Sequence, residues 1–399
     1  MKITNIKVTS VNVSFEAPLR WACGVETGTT RGIIELFTDE GIVGIGETYG
    51  GLGIEHAVAA AKAYIIGLDP LDIGVVANRF AAFCIGYETT VPAVVRAGIE
   101  MACLDAAGKA HNVPVYKLLG GKTRSRIEFG AYVFYRYKDE KTGIGGESDA
   151  QSILERTRAL CERHGFKAIK LKGGVFDPWQ EFKAIQLIHE AFPEAPLRWD
   201  PNAAWSVETS IRVGRRLLAK DIDLEYLEDP TSGLEGCAQV RRSVPIPLAT
   251  NMCLVAWDQL APGIRLRSVD VILSDLHYWG GFRQNQKMIA VAEAFNLGIG
   301  MHSDRELGIS TSAMLHMAAA TPYITHAIDS HYHDQIDDVI TQPFVFEDGS
   351  LTVRDGVGLG VELDRDKLEK YHRAYLKEGA VNEFYDPRRP DWTPALPLF

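Results

Sequence analysis

The sequence predicts an α/β protein in which a small α+β domain precedes a parallel β/α barrel. The chain has 399 residues, which suits a barrel of ordinary size plus a smaller domain. After about residue 120, strand-like and helix-like patterns alternate strictly. Chemically useful side chains end six successive predicted strands at steps of 23 to 28 residues, the length of one strand plus one helix: Lys172, Asp200, Glu228, Asn251, Asp275 and His302.

Composition is that of an ordinary globular protein, and it disfavours some partners. Hydrophobic residues make up 46% of the chain, charged residues 24%, and the formal net charge is −10. This charge, without any basic stripe, argues against nucleic acid and anionic membranes, whereas a small anionic substrate stays compatible with a locally positive cleft. The sequence has no bilayer-spanning apolar run, no signal-peptide pattern and no Cys-x-x-Cys pair, so we expect a cytoplasmic protein with free thiols.

Residues 1–122 are predicted to form the α+β domain, which would act as a cap on the barrel. Asp39-Glu40-Gly41 lies between two apolar runs and is a tight hairpin signal. A long apolar face with Pro92 in its first turn marks a helix. The predicted strands are 2–14, 31–38 and 42–48, and the predicted helices are 55–67 and 92–110.

Residues 123–340 are predicted to form the barrel, with IEFGAYVF as its first strand and ITHAIDS as its last. Helix N-caps are predicted at Ser148, at Asp177 before Pro178 and at Ser206, because these side chains accept hydrogen bonds from the first helical N–H groups. Residues 341–399 return to irregular patterns, and we expect them to pack back on the cap. The predicted barrel helices include 148–164, 206–220, 281–296 and 308–320.

Two lysines end the second barrel strand, in the segment AIKLKGG. Two lysines around a leucine usually mark a solvated strand face. In a barrel strand, however, alternate residues point inward, so Lys170 and Lys172 would both enter the interior, where unpaired charge is costly. We expect their repulsion and partial burial to lower the pKa of one ammonium group toward neutrality and make it a usable base.

Three oxygen-bearing side chains end the next three strands: Asp200, Glu228 and Asn251. Each one alone would be read as a cap or turn residue. Together they are the hard oxygen ligands that Mg²⁺ prefers, with water and substrate completing the coordination. Asn202, two residues after Asp200, would point the same way and could donate a hydrogen bond to a bound anion. Zinc is not expected, because no paired Cys or His ligands have suitable spacing.

The last two strand ends carry an acid and an imidazole. His302 alone would be read as a packed or surface histidine, but Asp275 on the preceding strand could fix its tautomer and raise its basicity. His331 and His333 fall in the last loop at this end of the barrel, where a place at the rim of the site and a structural role are equally compatible with the sequence.

These segments resemble the glucarate dehydratase group of the enolase superfamily, within its mandelate racemase-like branch. The resemblance covers nearly the whole chain, and the asparagine ligand is specific to that group. It implies a modified TIM barrel, (β/α)₇β, beneath an N-terminal α+β capping domain. The motifs that carry it are KLKGG, DPNAAWS, EDP, ATNM, HYWGG, AIDSHYH, DGVGLGVELD, GETYGG and AGIEMACLDAAGK.

The resemblance implies a role for each site residue. Lys172 would remove the proton next to a carboxylate, and Lys170 would be its electrostatic neighbour and bind that carboxylate. His302, oriented by Asp275, would be the acid/base on the opposite face. Loss of the β-hydroxyl group would then give a 2-keto-3-deoxy sugar acid. The implied ligands of an essential Mg²⁺ are Asp200, Glu228 and Asn251.

The sequence departs from that group where the far end of a substrate would lie. Different residues occupy a cap loop after the first strand, a second cap loop at Cys84-Ile85, the run Ser303-Asp304-Arg305 and the tail at Asn382-Glu383. We therefore expect an aldonate, with one carboxylate, rather than a diacid. The predicted substrate-binding residues are Asn202, Arg20, Glu26, Tyr132, Asp304, Arg305 and His331, with Trp21 and Glu383 alongside.

Other functions stay open at this point. Arg305 could bind a distal carboxylate, which would favour a diacid of the glucarate or galactarate type. The same two bases could serve an acid-sugar or amino-acid epimerase, and a remote alternative is a non-catalytic barrel kept for binding. We expect a homo-oligomer with a small anionic sugar acid as its substrate.

Overall fold

A computed structural model describes residues 1–83 and 90–399. Its order of elements is a three-stranded meander, a group of helices, and then strands and helices that alternate strictly from the strand Gly130–Arg136 to the helix Gly308–Ala320. The strands are β1 Ile3–Trp21, β2 Gly24–Thr38, β3 Val43–Tyr49, β4 Arg126–Glu128, β5 Gly130–Arg136, β6 Ala168–Lys172, β7 Leu197–Asp200, β8 Tyr226–Glu228, β9 Leu248–Thr250, β10 Val271–Ser274, β11 Gly298–Met301 and β12 Ser350–Thr352.

The helices follow the predicted order, with bounds that differ by a few residues. Within the described residues, none is long and apolar enough to cross a membrane. They are α1 Leu52–Ile65, α2 Ile73–Phe83, α3 Thr90–His111, α4 Val115–Leu118, α5 Ala150–His164, α6 Pro178–Ala191, α7 Val207–Ala219, α8 Leu234–Ser243, α9 Trp257–Leu266, α10 Phe282–Ala294, α11 Gly308–Ala320 and α12 Arg365–Glu378.

Seven parallel strands, β5 to β11, form the barrel sheet in sequence order. The segment predicted as the eighth strand is held by isolated parallel bridges, from Ile324 to Ile299 and from Ile328 to Phe129. Gly130 N also donates to the Ile328 carbonyl at 2.9 Å, so this segment joins the last strand to the first. The observed fold is therefore the expected (β/α)₇β barrel with an α+β cap.

The first hairpin of the cap is longer than predicted. β1 extends to Trp21 and β2 starts at Gly24, so the segment expected to be a loop is a pair of antiparallel strands around a two-residue turn. Pro18 and a register shift after Ser14 interrupt the alternation that would have revealed the extension. The hairpin tip reaches over the carboxyl ends of the barrel strands, where β1 pairs with β5.

Strand β3 connects the cap to the barrel because its two faces differ. Gly44 and Gly46 face α3, and a Cβ atom on either would lie about 2 Å from a carbonyl oxygen of that helix. The opposite face carries Glu47, whose carboxylate accepts the backbone N–H groups of Leu307 at 2.9 Å and Ser310 at 2.8 Å. A carboxylate at the start of α11 is favoured by the helix dipole, so Glu47 fixes the cap against the loop that follows β11.

Two of the three predicted helix caps are confirmed. Asp177 and Ser206 accept backbone hydrogen bonds at the starts of α6 and α7. The third prediction is wrong by one residue: Asp149, and not Ser148, caps α5, and it forms a capping box with Ser152. The carboxylate of Asp149 accepts from Ser152 N at 2.8 Å, whereas Ser148 is exposed.

The tail contacts both the cap and the barrel. His372 on α12 hydrogen-bonds the Ser10 carbonyl, and Val25 N donates to the Tyr385 carbonyl. The last residues turn back to the barrel, where Phe399 N donates to the Ala204 carbonyl at 3.0 Å. The tail thus runs across the mouth of the barrel between two attachment points.

Candidate active site

The carboxyl ends of the barrel strands, the β1–β2 hairpin and the tail enclose a cavity of about 530 Å³. Four predicted residues lie directly behind its wall, buried and in contact with lining residues: Lys170, Asp200, Glu228 and Asp275. The predicted residues that line the cavity are Lys172, Asn202, Asn251, His302, Glu26, Tyr132, Asp304, Arg305, His331 and Glu383.

Both lysines point into the barrel, as the strand alternation predicted. Lys172 Nζ donates to Asp200 Oδ2 at 2.7 Å and also reaches the cavity. Lys170 Nζ is fully buried, 2.6 Å from Glu228 Oε2 and 2.7 Å from Asp329 Oδ2. Lys172 is therefore the lysine that can touch a ligand, while Lys170 acts from behind it.

Contrary to the expectation, the protein's own charges do not lower either lysine pKa toward neutrality. Burial by itself lowers the pKa of each ammonium group, but the surrounding carboxylates outweigh it, and both pKa values are raised. Asp329 contributes most to the rise at Lys170, and Asp200 contributes most at Lys172. The repulsion between the two lysines is visible in the sequence, whereas carboxylates from other strands meet them only in the folded barrel.

The predicted metal ligands bring oxygen atoms from three strand ends together. In one amide orientation the Asn251 oxygen faces only acceptors; turned over, its nitrogen donates to Glu228 Oε1 at 3.1 Å and Asp229 Oδ2 at 2.9 Å, and its oxygen accepts from His302 Nε2 at 2.9 Å. Burial and the charge of Asp200 raise the pKa of Glu228. A cation would suit the first orientation, in which the amide oxygen lies among carboxylate oxygens, and such oxygens are the ligands that Mg²⁺ prefers, so the residues fit this ion.

A second group of three possible ligands lies close by. Ligand atoms of Asp275, His277 and Glu306 fall within 4.8 Å of one another. The Arg31 guanidinium already lies against this group, with Nη2 3.0 Å from His277 Nε2. Burial raises the pKa of Glu306, and the charge of Arg31 opposes that rise. Asp275 also binds His302, so we interpret this group as a buried charge network.

His302 and Asp275 form the predicted pair. His302 Nδ1 lies 2.9 Å from Asp275 Oδ2, and the other carboxylate oxygen accepts the backbone N–H groups of His277 and Tyr278. Burial lowers the His302 pKa, but the Asp275 carboxylate outweighs it, and the net pKa is raised. The ring of Tyr278 stacks on His302 with centroids 5.6 Å apart. This arrangement favours an imidazolium that can donate a proton from Nε2.

Carboxylates from three segments surround Arg305. Its Nη2 lies 2.7 Å from Asp304 Oδ1, and its Nη1 pairs with Glu383 of the tail and lies 3.8 Å from Glu26 Oε1. Burial raises the pKa of Glu26 to about 7, although Arg305 acts in the opposite direction. Glu26 Oε2 accepts no hydrogen bond from any residue that the structure describes. Arg305 has a φ of 63°, a strained conformation for a side chain of this size.

His331 and Tyr132 form an aromatic part of the wall. The His331 ring lies 5.0 Å from Tyr132 and 5.2 Å from Phe134, and burial holds its pKa well below the usual value. The Tyr132 ring lies under Lys170, whose Nζ is 4.5 Å from the ring centroid. Both side chains are therefore placed as neutral contacts for a ligand.

The structure does not bring Arg20 to the cavity. Its neighbour Trp21 lines the cavity instead, because successive residues of β1 point to opposite faces. The Arg20 guanidinium stacks on the rings of Tyr137 and Phe176, 4.6 Å from each. His333 also lies outside the cavity, and Cys84-Ile85, where a second cap loop was expected, falls outside the described residues.

Sequence reasoning missed several residues of the site. Asp329 ends the last barrel segment and follows the same strand-end rule as the residues that were found, so the rule could have found it. Tyr278 stands in the HYWGG motif, three residues after the strand-end acid Asp275 and one after His277. Phe384 and Leu396 gave no signal, because the tail has no periodic pattern that relates it to the barrel.

Comparisons with known proteins agree with this architecture. The model for the mandelate racemase / muconate lactonizing enzyme N-terminal domain matches residues 3–120, and the enolase C-terminal domain-like model matches residues 152–367. A solved structure of an enolase from Thermobispora bispora, complexed with magnesium and formate, is 42% identical in sequence and has a TM-score of 0.94. The match covers 100% of both chains.

Two curated relatives are dehydratases. A probable glucarate dehydratase from Streptomyces coelicolor is 40% identical, with 100% of this chain and 99% of the relative covered. A D-xylonate dehydratase from Haloferax volcanii is 26% identical, with 87% of this chain and 85% of the relative covered. These relatives support an enzyme of the hydro-lyase class, and the chain belongs to the enolase superfamily, in the glucarate dehydratase group of its mandelate racemase-like branch.

Proposed function

We propose that the protein is a Mg²⁺-dependent acid-sugar dehydratase that converts an aldonate into a 2-keto-3-deoxy sugar acid. The observation that carries this proposal is the meeting of Lys172 and His302 in one cavity, above the oxygen atoms of Asp200, Glu228 and Asn251. A cytoplasmic location and a homo-oligomeric state stay predictions.

Asp200, Glu228 and Asn251 would hold the ion. Mg²⁺ held there would supply positive charge that stabilises the negative charge developing on the substrate carboxylate, and Asp200 and Glu228, neutralised by it, would raise the pKa values of the two lysines less. Lys170, fixed by Asp329, adds a second positive charge behind this position. Asn202 lines the cavity beside these groups and is the candidate donor to the carboxylate.

Lys172 and His302 would divide the proton transfers. With Asp200 engaged by the ion, Lys172 would be present as the neutral amine, and its Nζ would take the proton from the carbon next to the carboxylate. His302 Nε2 gives its proton to the β-hydroxyl group as the carbon–oxygen bond breaks, so that water leaves and a double bond forms. The resulting enol becomes the 2-keto acid by gaining a proton at carbon 3. Asp275 keeps His302 in the required tautomer throughout.

The charges in the cavity favour one substrate carboxylate over two. Arg305, the cation that could have bound a distal carboxylate, is already paired with Asp304 and Glu383, with Glu26 close by. A second carboxylate would have to displace one of them or lie next to them desolvated. The D-xylonate relative shows that aldonate dehydratases occur in this superfamily.

Two other activities could use the same residues. The relative from Streptomyces coelicolor is a probable glucarate dehydratase, so a diacid is the second candidate substrate. An epimerase could use Lys172 and His302 as bases on opposite faces. Product mass separates the reactions, since dehydration removes one water and epimerisation leaves the mass unchanged.

Removal of the metal ion should abolish turnover. We expect EDTA to remove activity and Mg²⁺ or Mn²⁺ to restore it. Independently of activity, the substitution Asn251→Ala should weaken Mg²⁺ binding measured by titration calorimetry, whereas Asn5→Ala, at an exposed asparagine of β1, should not. Full turnover by metal-free enzyme would contradict the assignment.

An exchange experiment should distinguish the roles of Lys172 and His302. Lys172→Ala should lower exchange of the α-proton with D₂O by about 10²- to 10⁴-fold, the usual contribution of a general base. His302→Asn should keep this exchange but fail to release water, because its amide cannot protonate the leaving group. Dehydration by His302→Asn at the wild-type rate, measured by 2-keto acid formation, would show that the pair has another role.

The charge cluster predicts a preference between matched substrates. Five- or six-carbon aldonates should have a higher kcat/KM than glucarate or galactarate, because a second carboxylate meets Asp304, Glu383 and Glu26. Steady-state kinetics on matched aldonate and aldarate pairs measure this preference. A roughly tenfold preference for the diacids would overturn our interpretation of Arg305.

The burial of Glu26 predicts a pH-dependent effect on stability. Its pKa of about 7 lies above the ordinary value of 4.5, so the native state holds this proton more tightly and loses stability as pH rises from about 4.5 to 7. Glu26→Gln should therefore raise the free energy of unfolding at pH 8 by up to roughly 3 kcal/mol, with the gain vanishing near pH 4.5. Urea unfolding at both pH values tests this, with the exposed Glu194→Gln as control.

A further inference from the structure

Two histidines contact the two oxygen atoms of the Asp275 carboxylate. His302 Nδ1 lies 2.9 Å from Oδ2, as described above. The backbone N–H of His277 donates to Oδ1 at 2.6 Å, and the ring nitrogen Nδ1 of the same residue lies 3.6 Å from that oxygen. His302 lines the cavity, whereas His277 does not and is only 1% exposed. His277 is therefore placed to act on His302 through Asp275, and not on a ligand directly.

The far side of the His277 ring is held by Arg31 of the cap. Arg31 Nη2 lies 3.0 Å from His277 Nε2, and Ser310 Oγ lies 3.2 Å from the same nitrogen. A guanidinium stays protonated and can only donate, so Nε2 must accept, and the proton of the neutral ring lies on Nδ1, toward Asp275. The Glu47 carbonyl, 3.2 Å from Nε2, would require the opposite tautomer. The contact with the cation is shorter and cannot reverse its direction, so it determines the tautomer.

Arg31 is itself fixed within the cap. Its Nε donates to Glu47 Oε1 at 2.8 Å, and both side chains are at most 1% exposed. The guanidinium also lies over the ring of Tyr49, 4.8 Å from the centroid. Glu47 in turn accepts the backbone N–H groups at the start of α11. Buried groups thus connect the cap to the cavity in the order Glu47, Arg31, His277, Asp275 and His302.

The electrostatics of Asp275 agree with this arrangement. Burial by itself raises the pKa of this carboxyl group, but the interactions with His277 and His302 outweigh burial and hold the pKa well below its usual value. The ionised carboxylate accepts from both residues at once, so it cannot rotate away from His302 without losing a partner on its other oxygen. A carboxylate fixed in this way determines the orientation of the imidazole and which of its nitrogens carries the proton.

We propose that His277 is a positioning residue for the proton transfer to the leaving group. Anchored by Arg31 of the cap, it keeps Asp275 in the orientation that His302 requires. This inference rests on the proposed function, in which His302 protonates the departing hydroxyl group. Removal of the α-proton is assigned to Lys172, which this chain of contacts does not include. Loss of the anchor should therefore slow the loss of water without stopping proton removal.

The test compares His277→Leu with His277→Gln, using those of D-xylonate, D-gluconate, D-galactonate and D-glucarate that the unchanged protein dehydrates. Leucine cannot accept a hydrogen bond from Arg31, whereas the side-chain oxygen of glutamine can reach it in place of Nε2. A catalytic group misplaced by about 1 Å costs on the order of 10²-fold in rate, so His277→Leu should lower kcat for 2-keto acid formation by about 10- to 100-fold, with KM nearly unchanged. Exchange of the α-proton with D₂O should continue, and His277→Gln should recover most of kcat.

His316→Leu is the matched control for a purely structural effect. His316 is also buried, and its ring nitrogens contact the backbone of Tyr116 and Leu359. This variant should lose stability in urea unfolding and yet keep the ratio of dehydration to exchange of the unchanged protein. The inference is contradicted if His277→Leu keeps that same ratio, or if His277→Gln is as slow as His277→Leu.

The tautomer of His277 provides a readout that needs no substrate. In protein labelled with ¹⁵N at histidine, the signal that disappears in His277→Gln should report an unprotonated Nε2 and a protonated Nδ1. A protonated Nε2 overturns the inference whatever the substrate is. Dehydration by His277→Leu at the unchanged rate also overturns the inference and leaves the proposed function standing. If the unchanged protein neither dehydrates nor exchanges any of the four acids, the proposed function fails, and the role of His277 in it fails as well.

Discussion

The buried ion cluster around Lys170 is the interaction on which the rest of the site depends. Its ammonium group lies between Glu228 on β8 and Asp329 on the segment that closes the barrel, and Arg198 Nη1 lies 3.3 Å from the other Asp329 oxygen. Removing one partner from such a cluster leaves an uncompensated buried charge and costs about 3–5 kcal/mol. The ion pairs that join the closing segment to the barrel therefore also fix the position of the lysines.

This constraint explains why Lys172 is held differently from Lys170. The β6–β7 register places Lys172 opposite Asp200, so its ammonium group has one carboxylate partner at 2.7 Å and one side open to the cavity. Lys170 is enclosed on every side and stays charged. One lysine is thus free to exchange a proton with a ligand, while the other keeps the local potential positive. A substrate carboxylate is attracted to this end of the barrel despite the negative charge of the whole chain.

The catalytic residues could be predicted from the sequence, because residues spaced by one strand plus one helix along the chain meet at the same end of a barrel. Each strand end is recognisable locally, and Lys172, Asp200 and His302 then meet for geometric reasons alone. The raised lysine pKa values, the face of Arg20 and the tail could not be predicted in this way. Each depends on contacts between segments that have no common period, and an interrupted alternation in β1 concealed which residues of the hairpin face inward.

In this fold, the residues that carry the chemistry and those that determine substrate specificity come from different kinds of segment. The deepest part of the cavity is built from rigid strands, whereas the wall above it comes from a hairpin, several barrel loops and the tail, which can change without disturbing the strands. Arg305 limits that freedom, because its single guanidinium balances Asp304, Glu383 and Glu26 together. Replacing one of these carboxylates alters the charge balance for the other two. A change of substrate at this site therefore requires coordinated substitutions in segments that are distant in the sequence.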